Sequence, residues 1–163
     1  MEENPSPKSL SGVSVLLIED DLALLSGLIA QLTAEGAEVS AAADGRVGLA
    51  RFMSGRPNVV VTDIVMPERE GLETIMAMKS ARPDVPILAI SGGGSIGGTP
   101  FLDLARRLGA DDVLPKPFRT SQLVETYLGP GLSRERRHAG DDRLTIWPGT
   151  GEPPKRPRTS LFT

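Results

Sequence analysis

Five short apolar runs, each followed by a stretch of helical periodicity, constrain this chain more than any other feature. The runs are Val13–Ile18, Glu38–Ala42, Val59–Thr62, Ile87–Ile90 and Val113–Leu114. All but Glu38–Ala42 are built almost wholly of Val, Ile, Leu and Ala, with no regular polar alternation. A strand of that kind has no face to offer water, which suits a parallel sheet covered on both sides.

The intervening segments read as helices. Leu22, Leu25, Leu28, Ile29 and Leu32 fall at helical spacing, and Gly36 stands where that helix should stop. Asp44 to Ser54 reads as a second helix with Val47, Ala50 and Met53 turned inward, closed by Gly55. Gly71 to Ala81 carries Leu72, Ile75, Met76 and Lys79 in its pattern and stops before Pro83. A fourth helix is expected around Phe101–Leu108, closed by Gly109. A fifth is expected over Thr120–Leu128, with Thr120 or Ser121 as its cap. Such alternation implies an α/β fold, and right-handed crossovers leave few topologies. The expectation is a flavodoxin-like, doubly wound (βα)5 fold. Its five-stranded parallel sheet has the order 2-1-3-4-5, with a crevice beyond the carboxyl ends of the strands.

Outside this pattern the chain changes character. Residues 1–11 are polar and read as a flexible leader, 12–129 as the folded domain, and 130–163 as a disordered basic tail. The tail holds seven Lys and Arg against four acids, whereas the whole chain is net −3. That balance gives no global electrostatic case for nucleic acid or a membrane. The runs in the tail (Arg134, Arg136, Arg137, then Lys155, Arg156, Arg158) read as solvated charge. Zero cysteines and one histidine exclude disulfides, thiolate metal sites and multi-histidine sites. No apolar run approaches the roughly 18–20 residues of a membrane span, so a cytoplasmic location is expected.

The chemistry gathers where strands end. The first run ends in Glu19, Asp20 and Asp21, and the third in Asp63. In the expected strand order these two ends are neighbours. Clustered carboxylates repel unless a cation neutralises them, and a hard divalent ion such as Mg²⁺ suits oxygen ligands. Ser91 ends the fourth strand and Lys116 the fifth, adding a hydroxyl and an ammonium at the same edge. Acids, a metal, a lysine and a hydroxyl form a set suited to holding a phosphoryl group, and one carboxylate can be the nucleophile.

The pieces LLIEDD (16–21), VVVTDIVMPEREG (59–71), ILAIS (87–91) and LPKPF (114–118) together resemble the receiver domain of bacterial response regulators. The resemblance implies that Asp63 is the phosphoacceptor, with Ser91 a switch hydroxyl and Lys116 paired with the carboxylate or phosphate. It implies Mg²⁺ held by Asp20 and Asp63, by Glu19 through water, and by the main-chain carbonyl of Val65. It also implies a cis Lys116–Pro117 bond. Met66-Pro67 and Gly71 shape the loop after Asp63. Asp21 falls outside the acidic pair and reads as a helix cap. The implied partners are a sensor histidine kinase or a histidine phosphotransfer protein, and a downstream protein target. Self-association into a homodimer is compatible with it. The chain would promote only its own aspartyl phosphorylation and dephosphorylation and would not be a metabolic enzyme. The alternative is a receiver-like module that binds proteins without being phosphorylated.

Three features depart from the family's pattern. Val113 stands where many relatives carry Tyr or Phe, so an aromatic rotamer switch is not available and the switch would rest on Ser91 and its loop. The segment SGGGSIGG after the fourth strand is long and free in its backbone. Val65 and Gly93 stand where a polar side chain would orient an attacking water, which implies slow loss of the phosphoryl group.

Two decoys deserve weighing. Gly92 to Gly97 fits G-x-G-x-x-G with Asp111 and Asp112 some 20 residues on, as a dinucleotide site would. The motif, however, follows the fourth strand, and the acids precede the fifth. An aspartyl-nucleophile phosphatase would want a second Asp where Val65 stands.

Overall fold

The strands form because β-branched and leucine side chains cover both faces of a single sheet. In the computed structural model, which describes residues 9–66, 70–92 and 98–128, the elements alternate throughout. They are β1 (Ser14–Ile18), α1 (Leu22–Ala34), β2 (Glu38–Ala42), α2 (Gly45–Ser54), β3 (Val59–Asp63) and α3 (Glu70–Ala81). There follow β4 (Ile87–Gly92), α4 (Gly98–Arg107), β5 (Asp112–Lys116) and α5 (Thr120–Leu123), the last continued by a π-helical turn over Val124–Leu128. All strand pairs are parallel, in the order β2-β1-β3-β4-β5. Fold and strand order are those expected from the sequence.

Side chains alternate across the sheet with the period of two that a strand imposes. Val15, Leu17, Val59, Val61, Leu88, Ile90 and Leu114 face α1 and α5, meeting Leu25, Leu28, Leu32, Leu123 and Leu128. Leu16, Ile18, Val60, Ile87, Ala89 and Val113 face the other helices, meeting Phe52, Ile75, Met78 and Ala105. Both sets are apolar, so no alternation of polarity shows in the sequence.

The helix faces differ from the sequence reading in detail. In α2, Ala50 and Met53 are exposed, and Gly45, Gly48 and Phe52 turn inward instead. A Cβ on Gly48 would lie 2.4 Å from the Ile18 side chain, so glycine lets α2 approach β1 closely. Apolar periodicity cannot register a face made partly of glycine. In α3, Met76 is exposed and Met78 is buried, and in α1 Leu22 is exposed. Neither Thr120 nor Ser121 caps α5: its N-cap is Arg119, without a side-chain cap bond. Asp21 and Asp44 cap α1 and α2 through side-chain bonds to the first-turn amides. Gly36 and Gly109 follow α1 and α4 at φ 95 and 117.

The leader boundary also moves. Leu10, counted from sequence with the flexible leader, is fully buried among the α1 and α5 side chains. Its amide donates to the Glu35 carbonyl at 2.9 Å, and its carbonyl accepts from Val13 at 3.0 Å. Residues 1–8, the SGGGSIGG loop beyond Gly92 and the tail from 129 lie outside the described residues. No helix among the described residues is long and apolar enough to cross a membrane.

At the amino ends of the strands, one polar knot joins α3, β4 and β5. Lys79 Nζ lies 2.6 Å from Asp111 Oδ2 and donates to the carbonyls of Val85 at 3.0 Å and Pro83 at 3.2 Å. The same Asp111 oxygen accepts from the Ile87 amide at 2.7 Å. Asp111 is thereby a structural clasp, which removes it as a ribose-binding acid. Asp111→Ala would leave the Ile87 amide without its acceptor and remove one of the partners of Lys79. Because Asp111 is half exposed, the expected loss is about 1 kcal/mol in urea unfolding, with an unchanged slope. An unchanged midpoint would mean that water replaces the carboxylate.

Candidate functional site

The register of the sheet decides which strand ends meet. Ile18 pairs with Thr62, so Glu19 and Asp63 leave adjacent strands side by side. Asp63 pairs with Ile90, one residue before Ser91, and Gly92 pairs with Lys116. Acids, hydroxyl and lysine thus come to one rim from four strands.

Lys116 Nζ donates to Glu19 Oε2 at 2.7 Å and to Asp63 Oδ2 at 3.2 Å. Carboxylate oxygens of Glu19, Asp20 and Asp63 all lie within 4.8 Å of one another. Glu19 is 1% exposed and Asp63 4%, whereas Asp20 is exposed at the mouth. Backbone amides hold the buried pair from the other side: Asp21 N–H donates to Glu19 Oε1 and Val65 N–H to Asp63 Oδ1, each at 3.1 Å. The Ser91 hydroxyl is buried at the same rim and has no hydrogen-bond partner among the described residues. The Lys116–Pro117 bond is cis.

Burial pushes the Glu19 carboxyl up to about 7, and the Asp63 charge adds to this, while Lys116 and the Asp21 amide pull the other way. Burial would lower the Lys116 ammonium, but Glu19 and Asp63 more than offset it and hold it above its ordinary value. One ammonium faces three carboxylates. The donors are hard oxygens in an acidic group that one lysine cannot neutralise, and this fits a small divalent cation.

Sequence reasoning placed Glu19, Asp20, Asp63, Val65, Ser91 and Lys116 here, and the structure brings all six to this rim. It also shows what supports and surrounds them. Thr62, wholly buried, donates its hydroxyl to the Asp63 carbonyl at 3.1 Å. Gly71 lies against the end of β3: a Cβ there would stand 2.5 Å from the Asp63 carbonyl oxygen and 2.6 Å from that of Ile64. Glycine is needed to bring α3 this close. Leu22 and Val65, 64% and 52% exposed, flank the acids as apolar surface. Val113, by contrast, is buried between the sheet and α4, packed in the cluster with Ala89, Ala105 and Ala110.

A family model described as the response regulator receiver domain matches residues 15–128, and the chain belongs to that family. Among its relatives, response regulator MprA of Mycolicibacterium vanbaalenii is 38% identical over 113 residues, covering 69% of this chain and 47% of that protein. MprA of Mycobacterium bovis is 36% identical over the same length and shares. The chain spans about half the length of these relatives. Among solved structures, a CheY-like receiver domain protein from Methanospirillum hungatei superimposes with a TM-score of 0.64 at 29% identity, covering 69% of this chain and 88% of that one. Chemotaxis protein CheY4 of Vibrio cholerae gives 0.63 at 29%, covering 70% and 94%. This chain is therefore a receiver domain of the two-component response regulator class.

The raised Glu19 value has a sign that can be measured. The folded chain keeps this proton after the unfolded chain has lost it, so rising pH between about 4.5 and 7 favours unfolding. In chelator, wild type should lose up to about 3 kcal/mol across that window. Glu19→Gln should remove this part of the slope in urea midpoints taken at pH 5 and 7.5. Equal slopes in both proteins would show that Glu19 titrates normally.

Proposed function

We propose that Asp63 accepts a phosphoryl group from a phosphohistidine on a sensor kinase or histidine phosphotransfer protein, and that the phosphorylated domain changes its affinity for a downstream protein. The observation that carries this reading is the Lys116 ammonium shared by Glu19 and Asp63 beside a buried Ser91 hydroxyl that has no partner among the described residues.

An oxygen of the Asp63 carboxylate attacks phosphorus in line, the phosphorus–nitrogen bond breaks, and the imidazole departs. Hydrogen bonds from Val65 N–H and Lys116 fix the carboxylate before the reaction, so little orientation is left to be gained during it. Lys116 then offsets negative charge added beside Glu19. The Ser91 hydroxyl, without an acceptor among the described residues, donates to a phosphoryl oxygen; leaving such a donor buried and unpaired costs about 1–3 kcal/mol. Asp20 and Asp63, the Val65 carbonyl and Glu19 through water would hold Mg²⁺. When bound, the metal supplies further positive charge to the phosphoryl oxygens. The chain promotes its own modification and turns over no metabolic substrate. With Val113 packed in the core, the conformational response begins at Ser91.

Incubation with acetyl phosphate and Mg²⁺ followed by intact mass should show one added phosphoryl group. Asp63→Ala should show none, and Asp20→Ala should weaken Mg²⁺ binding about tenfold or more. No mass gain in wild type, with Mg²⁺ bound, would favour a binding module that works without phosphorylation.

Val65 puts an exposed apolar side chain, with no atom to orient water, directly beside Asp63. The phosphoryl group should therefore be long-lived, and Val65→Asn should shorten its lifetime. Loss from wild type within seconds would contradict this.

A further inference from the structure

β3 reads Val59, Val60, Val61, Thr62, Asp63, and the threonine carries its single hydroxyl. Thr62 is wholly buried. Its neighbours across the sheet are Ile18 on β1 and Ala89 on β4, both in the apolar cluster that holds Phe52 and Ile75. A hydroxyl in such a place is costly unless it is bonded, and a valine of nearly the same shape would carry no such cost.

That hydroxyl donates to the Asp63 carbonyl at 3.1 Å. The carbonyl lies where the ladder between β1 and β3 runs out. The Val60 amide donates to Pro86, just before β4, and the Ile64 amide to Ile90 within it. Main-chain groups alternate in direction from one residue to the next along a strand, so the Asp63 carbonyl is turned toward β1. The register of β1 with β3 ends at Ile18 and Thr62, one residue short of Asp63. From the α3 side Gly71 lies against the same oxygen, since a Cβ there would stand 2.5 Å from it. A covered carbonyl at the end of a ladder needs a donor, and Thr62 supplies one.

The peptide unit after Asp63 opens the turn that brings the Val65 N–H onto Asp63 Oδ1 at 3.1 Å. The Val65 carbonyl, in the same turn, is the main-chain ligand proposed for Mg²⁺. We infer that Thr62 is a positioning residue for the phosphoacceptor: its hydroxyl fixes the peptide plane after Asp63, and thereby aims the Asp63 carboxylate and the Val65 main chain at the rim. Thr62 acts through the backbone and touches neither metal nor phosphoryl group. The inference rests on the reading of Asp63 as phosphoacceptor, but the positioning itself is measurable in the metal-free chain.

Thr62→Val removes the hydroxyl and keeps the shape, whereas Thr62→Ser keeps the hydroxyl. In metal-free protein, Thr62→Val should shift the Val65 amide resonance and speed its exchange with solvent, and Thr62→Ser should leave both near wild type. Thr62→Val should also weaken Mg²⁺ binding and slow labelling by acetyl phosphate at saturating Mg²⁺, each by about three- to tenfold, the worth of one hydrogen bond. Thr62→Ser should restore both. Urea midpoints separate a merely structural role. A Thr62→Val protein that loses stability while its Val65 amide, Mg²⁺ affinity and labelling rate stay at wild type would overturn the proposal. A serine variant that behaves like the valine one would overturn it too. If wild type itself takes no label while the Val65 amide still follows the hydroxyl, the phosphoacceptor reading fails and the positioning stands.

Discussion

One ammonium group between two buried carboxylates governs the carboxyl edge of this sheet. Glu19 and Asp63 come from adjacent strands and would repel each other in a region with little water. Lys116 reaches both from the far end of the sheet, across the position of β4. Removing Lys116 would leave two buried carboxylates without their counter-charge, a far larger penalty than loss of an exposed pair. The cluster is nevertheless incomplete as electrostatics, because Asp20 adds a third acid at the mouth. The carboxylates outnumber the ammonium here, an excess of negative charge that a cation would relieve.

The rest of the fold serves that edge. Parallel pairing puts all five carboxyl ends on one side, and the order β2-β1-β3-β4-β5 sets β3 at the centre with Asp63 at its tip. Backbone amides of Asp21 and Val65 grip the acids because the chain turns sharply after each strand. Close approach of α3 behind Asp63 depends on the missing side chain of Gly71. At the opposite edge the Lys79–Asp111 clasp ties α3 to the amino ends of β4 and β5.

Strands, their order and the acid-and-lysine set were legible in the sequence because each rests on local pattern. Buried parallel strands read as unbroken apolar runs, and the residue that follows each run must lie at the rim. Helix faces were less legible. Methionine suits core and surface alike, so Met53 and Met76 were placed inward although neighbours Phe52 and Met78 hold those positions. Glycine packing at Gly48 and the burial of Leu10 left no periodic trace. Thr62 was unreadable as a support of Asp63, since a threonine inside a β-branched run looks like any other strand residue.

By itself, then, the sequence determined the alternation of elements, the residues that end each strand, and the chemistry those residues could perform. Such information is local: it lies in runs of five or six side chains and in the polar residue that stops them. Only the tertiary structure decided that Lys116 bonds both Glu19 and Asp63, that the Ser91 hydroxyl is buried without a partner among the described residues, and that burial lifts the Glu19 carboxyl. Those facts depend on distances between residues up to 97 positions apart, which no local pattern encodes.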